Sequence, residues 1–230
     1  MIVRNEDGKW INNIGVYFVI LKELNEDLLQ LIKYDSSYDE KIELLFFKLA
    51  VNLNRIFPIQ HRNLSKNDGI LRLKKSIDFL KPDYKKKFKA YKDHLITIND
   101  VRNKFEHAPH IIKWKQYIGN NKEKKLWFIN DEYNLNIIEG NEEEIKKKEA
   151  YDEKLEWIID TDMFVKIVIS LNEIFIKIQE KLNNYFKDNI EALTHPYISS
   201  ILSLDISEYI DKLNYIWYYK EKNKRKRCYE

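Results

Sequence analysis

The sequence predicts a mainly helical fold, an up-and-down bundle carrying a small antiparallel β insertion, and three observations predict it. Five glycines and four prolines in 230 residues leave few breakers, while 44% of the chain is hydrophobic and 33% charged, the balance of a helix-rich globular protein. Apolar residues recur at alternating steps of four and three, the spacing of one helix face. Between about 110 and 160 that rhythm gives way to short segments rich in Ile, Trp, Tyr and Phe, parted by turn-forming residues.

The elements follow in order. Residues 10–32 place Trp10, Ile14, Tyr17, Leu21, Leu24, Leu28 and Leu31 on one face. Residues 39–57 repeat the pattern with Ile42, Phe46, Leu49, Leu53 and Ile56, and Pro58 stops it. A shorter helix carries Ile70, Leu73, Ile77 and Leu80. Pro82 is suited to open the next helix, because the first helical position needs no amide hydrogen. That helix carries Tyr84, Phe88, Tyr91, Leu95 and Ile98, and it ends near His107, since Ala108 precedes Pro109 and is biased away from helical geometry. The segments "IIKWKQYI", "KLWFI", "YNLNII" and "KLEWII" read as a meander, with the charged run "EGNEEEIKKKEAYDE" as a solvated loop before the last of them. Asp160 or Thr161 then caps a very apolar helix to about 187, whose Phe164, Val168, Leu171, Phe175, Ile178, Leu182 and Tyr185 suit a bundle centre or a dimer interface. A last helix from about 205 to 219 runs into a basic tail at 220–230. No repeat or boundary divides the chain, so residues 1–230 read as one domain able to bury a large core.

Several function classes are excluded or disfavoured at once. The net charge of +3 is near balance and does not by itself announce nucleic-acid binding. Cys228 is the single cysteine, so a disulfide framework is excluded and a reducing cytoplasm is the expected location. The N-terminus lacks a basic region followed by an apolar core, so no signal peptide is expected. The most apolar run is interrupted by Lys166, Asn172, Glu173 and Lys177, whereas a membrane span needs roughly 20 apolar residues. No thiolate set, no helical His pair at i, i+4 and no glycine-rich phosphate loop is present, so neither a metal nor another cofactor is expected.

One position breaks the pattern. After Leu95 and Ile98 the apolar rhythm calls for another apolar residue and finds Arg102 instead, before Phe105 restores it. Burying an unpaired guanidinium costs several kcal/mol, so Arg102 must be paired or must face a wet cleft. The plainer account is an ion pair to an acidic residue of a neighbouring helix, such as Glu23 or Glu43. Arg55 and His61 have a similar separation to Arg102 and His107. Arg55, however, lies nearly opposite its helix's apolar stripe, is followed by Ile56, and is cut off from His61 by Pro58.

The stretch "RNKFEH", residues 102–107, resembles the signature of the HEPN superfamily (higher eukaryotes and prokaryotes nucleotide-binding domains). That signature is an Arg, usually followed by a polar residue, with a His four to six residues beyond, near the end of a core helix. Arg102, Asn103 and His107 match it residue by residue, and the resemblance covers roughly residues 10–107 and 160–190. It implies a helical bundle and a metal-independent endoribonuclease, of a kind found in toxin–antitoxin and anti-phage systems. The partners implied are RNA, a second copy of the chain, and an antitoxin or other regulatory protein.

The residue types suit that chemistry. RNA carries its own nucleophile in the 2′-hydroxyl. A histidine with a pKa near its usual value of about 6.5 can move a proton at neutral pH. A forked, permanently charged arginine can hold a phosphate oxygen, and Asn103 can orient the histidine or a phosphate. On a straight helix Arg102 and His107 point roughly 140° apart. Either the helix end swings His107 round or two copies build one cleft, and the resemblance implies the second. His110 either lines the same cleft or is an exposed turn residue. The tail sets Trp217, Tyr218 and Tyr219 beside Lys220, Lys222, Lys224, Arg225, Lys226 and Arg227. Aromatic faces among clustered cations suit single-stranded RNA; the alternative is a helix with core aromatics and a solvated basic end.

Overall fold

The computed structural model describes residues 5–33, 40–57, 59–60, 63–64, 88, 90–107, 112–118, 124–130, 156–187 and 196–226. These residues are mostly helical. Helices α1 (Asn5–Lys33) and α2 (Glu40–Ile56) pack against each other. Lys48 Nζ donates to Asp27 Oδ1 at 3.0 Å and Asn52 Nδ2 to Glu23 Oε2 at 3.3 Å, so the two helices run antiparallel. The predicted faces are the buried ones: Leu21, Leu24, Leu28 and Leu31 on α1, and Phe46, Leu49, Leu53 and Ile56 on α2. Phe18 is buried on α1, and Tyr17 beside it only in part. The α2 helix stops at Ile56 ahead of Pro58, which has no amide hydrogen to continue the ladder. Asn54 Oδ1 accepts from the Ile59 amide at 3.2 Å and turns the chain into a two-residue antiparallel pair, β1 (Ile59–Gln60) with β2 (Asn63–Leu64).

Helix α3 (Lys92–His107) ends where Pro109 predicts, and Phe88 ahead of it also has helical backbone. Ala90 and Tyr91 form a turn, and the Tyr91 amide donates to the Phe88 carbonyl at 3.1 Å, an i to i−3 bond in place of the helical ladder. The tighter turn goes with the packing of Phe88, whose ring lies 4.7 Å from that of Phe57 and 5.9 Å from that of Tyr91. The expected helix at 70–80, Pro82, Tyr84 and the segment "YNLNII" lie outside the described residues.

Strands β3 (Ile112–Ile118), β4 (Lys124–Asn130) and β5 (Glu156–Asp160) pair antiparallel in that order, with Trp114 opposite Phe128 and Phe128 opposite Trp157. The last residue of β5 is also the cap of the next helix. Asp160 Oδ1 accepts from the amides of Asp162 at 2.8 Å and Met163 at 3.4 Å, satisfying two of the donors a helix start leaves free.

Helix α4 (Thr161–Phe186) is the centre of the molecule. Its Phe164, Val168, Leu171, Phe175, Ile178 and Leu182 are all buried. Phe175 meets Phe18 edge to face at 5.0 Å, and Phe164 meets Phe46 at 6.4 Å. Helices α5 (Pro196–Leu202) and α6 (Ile206–Lys226) both pack on α4. The α6 helix continues through Lys226, so most of the expected tail at 220–230 has a helical backbone. Among the described residues no helix is long and apolar enough to cross a membrane.

Candidate functional site

Helix α3 is wedged against α2, β1 and β5, and it buries Leu95, Ile98 and Val101 against them. Residues 99, 102, 103 and 106 stand at i, i+3, i+4 and i+7, and so share an adjoining face. All four are polar. Exposure rises along that face, from Asn99 at 5% through the half-buried Arg102 and Asn103 to the exposed Glu106.

The guanidinium of Arg102, with its side chain 19% exposed, is held from its own helix. Nη1 donates to Glu106 Oε2 at 2.8 Å, and Nη2 donates to Asn103 Oδ1. The expected ion pair to Glu23 is not the one formed. Glu23 accepts from Asn52, and Glu43's side chain lies outside the described residues. An exposed i, i+4 pair stabilises by only about 0.3–0.5 kcal/mol. Arg ahead of Glu is the weaker order for such a pair. The hold is therefore light enough for a phosphate to replace it. Two atoms on this face are buried without a hydrogen-bond partner, the Nε of Arg102 and the Oδ1 of Asn99.

Arg102 and Asn103 are thus brought together. His107 is the last residue of α3, with its imidazole outside the described residues, as are the whole of His110 and Arg227. Lys220, Lys222, Lys224, Arg225 and Lys226 lie on the final turns of α6, with side chains likewise outside them. Arg55 is exposed and donates to Asn52 Oδ1 at 3.4 Å, away from the buried stripe of α2. Glu106 and Asn99 are the site residues the sequence reading passed over. Glu106 had a signal, its position one turn beyond Arg102.

His94 lies in the first turn of the same helix, partly buried, with its Nε2 buried and unpartnered. Burial pushes its pKa below the usual histidine value, against the opposing pull of the Asp160 and Asp93 carboxylates. Among the described residues no three His, Cys, Asp or Glu side chains gather as a metal-holding group. No protein-family model, no curated protein and no solved structure matches this chain.

Proposed function

We propose that the chain is an endoribonuclease of HEPN type, cutting RNA without a metal at a cleft shared by two copies. His107 takes the proton of the 2′-hydroxyl, whose oxygen then attacks the adjacent phosphorus. The bond to the 5′-oxygen breaks, and that oxygen leaves with the proton that the acid/base His107 gives up, yielding a cyclic phosphate and a 5′-hydroxyl end. Arg102 holds the phosphate oxygens while negative charge builds on them, and Asn103 keeps the guanidinium or the phosphate in place. The cations at the end of α6 give RNA a place to lie. A cytoplasmic toxin or anti-phage effector, held in check by a partner protein, is the setting this reading implies.

One observation carries the reading. Arg102 is a partly exposed guanidinium, lightly held by Asn103 and Glu106 of its own helix, five residues before that helix ends at His107. The same ion pair also favours a second reading, in which Arg102 is already neutralised and the bundle is a non-catalytic module that binds RNA or a protein.

Cleavage of total RNA in EDTA separates the two. Wild type cuts, while Arg102→Ala and His107→Ala, still folded, lose at least about a hundredfold in rate, the loss expected for a proton-transfer or charge-stabilising group. Folded wild type that leaves RNA intact hands the site to the binding module. Cleavage that survives both substitutions places the chemistry elsewhere.

A further inference from the structure

The two unpartnered atoms belong to residues three apart on α3 and are complementary, one a donor and the other an acceptor. Arg102 Nε–H has nothing to donate to, and Asn99 Oδ1, on a residue 5% exposed, has nothing to accept from. Residues at i and i+3 on a helix have Cβ atoms about 5–6 Å apart, within reach of an arginine that turns about its side-chain bonds. A buried polar group left unpaired is destabilising, by about 1–3 kcal/mol for each. The free protein therefore holds two such penalties within one turn of helix, and a movement of Arg102 that pairs them gives up its Nη bonds to Glu106 and Asn103.

We propose that Asn99 is a second station for the Arg102 guanidinium and positions it for a phosphate. In the station the structure displays, Nη1 is taken by Glu106 and Nη2 by Asn103. In the other, Nε–H donates to Asn99 Oδ1 and the Nη1–Nη2 edge is free to grip two phosphate oxygens as a fork. An incoming phosphate competes with the Glu106 carboxylate for Nη1. Without an anion that movement strands the charge of a largely buried guanidinium, at a cost of several kcal/mol; with a phosphate in the fork the charge stays paired and the Nε bond to Asn99 is the gain. Glu106 is then a built-in competitor that keeps the arginine neutralised until an anion arrives, and Asn99 is what makes the release favourable. The inference rests on the reading of Arg102 as a phosphate-binding arginine.

A structural role and a positioning role part company at Asn99. Its Oδ1 makes no bond in the free protein, so replacing it with Ala takes no hydrogen bond away from that oxygen. Under the proposal it nonetheless weakens anion binding.

The test uses the full chain and a 2′-O-methyl oligoribonucleotide, which lacks the attacking hydroxyl, so binding is read without cleavage. Asn99→Ala raises the Kd about tenfold, the worth of one hydrogen bond to a charged group, with the urea midpoint unchanged or higher. Glu106→Gln lowers the Kd about twofold to threefold by removing the competitor. In nitrogen-labelled arginine spectra the Nε–H resonance that Arg102→Lys abolishes shifts, and exchanges more slowly, on adding the oligonucleotide or inorganic phosphate. It does neither in Asn99→Ala. The wild-type titration needs no variant, and an Arg102 Nε–H indifferent to both anions overturns the proposal. So does an Asn99→Ala protein that binds as wild type. If wild type cuts RNA while Asn99→Ala binds normally, Asn99 falls and the ribonuclease reading stands. If RNA is left intact but the Nε–H still moves with phosphate through Asn99, the reverse holds.

Discussion

At the scale of single residues, the polar face of α3 shows what one-dimensional reading can and cannot reach. That Arg102 stands in an apolar rhythm is a matter of spacing, and spacing is printed in the sequence. Which acceptor satisfies it depends on rotamers and on which neighbouring helix comes close, and neither is written there. Glu106 was the local answer, one turn away, whereas Glu23 is engaged by Asn52. The orphaned atoms of Asn99 and Arg102 are less legible still, because an unmade bond leaves no periodic trace. His94 makes the same point and carries a prediction. Burial lowers its pKa in the folded chain, so in acid the unfolded chain takes up the proton first. Its contribution to stability is therefore complete above the ordinary value of about 6.5 and is lost as pH falls through the lower folded value. His94→Gln has no such proton to take up. Moving from about pH 7.5 to 5.5 should lower the urea midpoint of wild type more than that of the variant, the carboxylates contributing alike to both. Parallel losses in the two proteins would mean that His94 is not held neutral.

At the scale of elements, the helix faces were legible because burial of a stripe imposes a period of 3.6, and the described residues of the stripes on α1, α2 and α4 are buried, Tyr17 only in part; the side chains of Trp10, Ile14, Ile42 and Tyr185 lie outside the described residues. What joins the elements was not. Asn172 reads in the sequence as a polar interruption of an apolar run. In the fold it is fully buried, exchanging hydrogen bonds with Asn25 across 147 residues of chain: Asn25 Nδ2 to Asn172 Oδ1 at 2.8 Å, and Asn172 Nδ2 to Asn25 Oδ1 at 2.7 Å. A buried amide is tolerable only opposite its complement, so this pair sets how far α1 can slide along α4. Gln179 works similarly at the next joint. Its Nε2 reaches the carbonyls of Ile201, Leu202 and Leu204 at 2.9, 3.1 and 2.9 Å, groups at the end of α5 and just beyond it. Helix α5 itself went unforeseen, although Pro196 at its first position was a usable signal. Asn172→Ala should cost about 1–3 kcal/mol, because it leaves the buried Asn25 Oδ1 without a donor while Asn25 Nδ2 keeps only the Leu21 carbonyl. Replacing both asparagines by Leu should recover most of that loss, since no polar group is then stranded. Chemical denaturation of the two singles and the double reads this directly. A double variant whose loss equals the sum of the singles would show that the amides are not coupled.

At the scale of the whole molecule, the helix that completes the core comes after the candidate site in the chain. Arg102, Asn103 and His107 all precede residue 160, yet the α1–α2 pair, whose α2 supports α3, is closed by α4 through Phe18 on Phe175 and Phe46 on Phe164. The sequence left open whether the apolar face of α4 belonged to a bundle centre or to a dimer. Within one chain α1, α5 and α6 already pack on that helix, and its Phe164, Val168, Leu171, Phe175, Ile178 and Leu182 are buried. The consequence is that the motif cannot be separated from the distant helix that supports it. A fragment of residues 1–160 retains each proposed catalytic group but exposes the apolar faces of α1 and α2 to water, at a cost near 25 cal/mol for every Å² of apolar surface left open. It should unfold in urea with a shallow, non-cooperative slope and leave RNA uncut. Adding residues 161–230 as a separate chain should restore a steep transition, because the slope follows the surface exposed on unfolding. If the fragment alone melts as steeply as the full chain, α1 to α3 have a core of their own. The central place given to α4 would then be wrong.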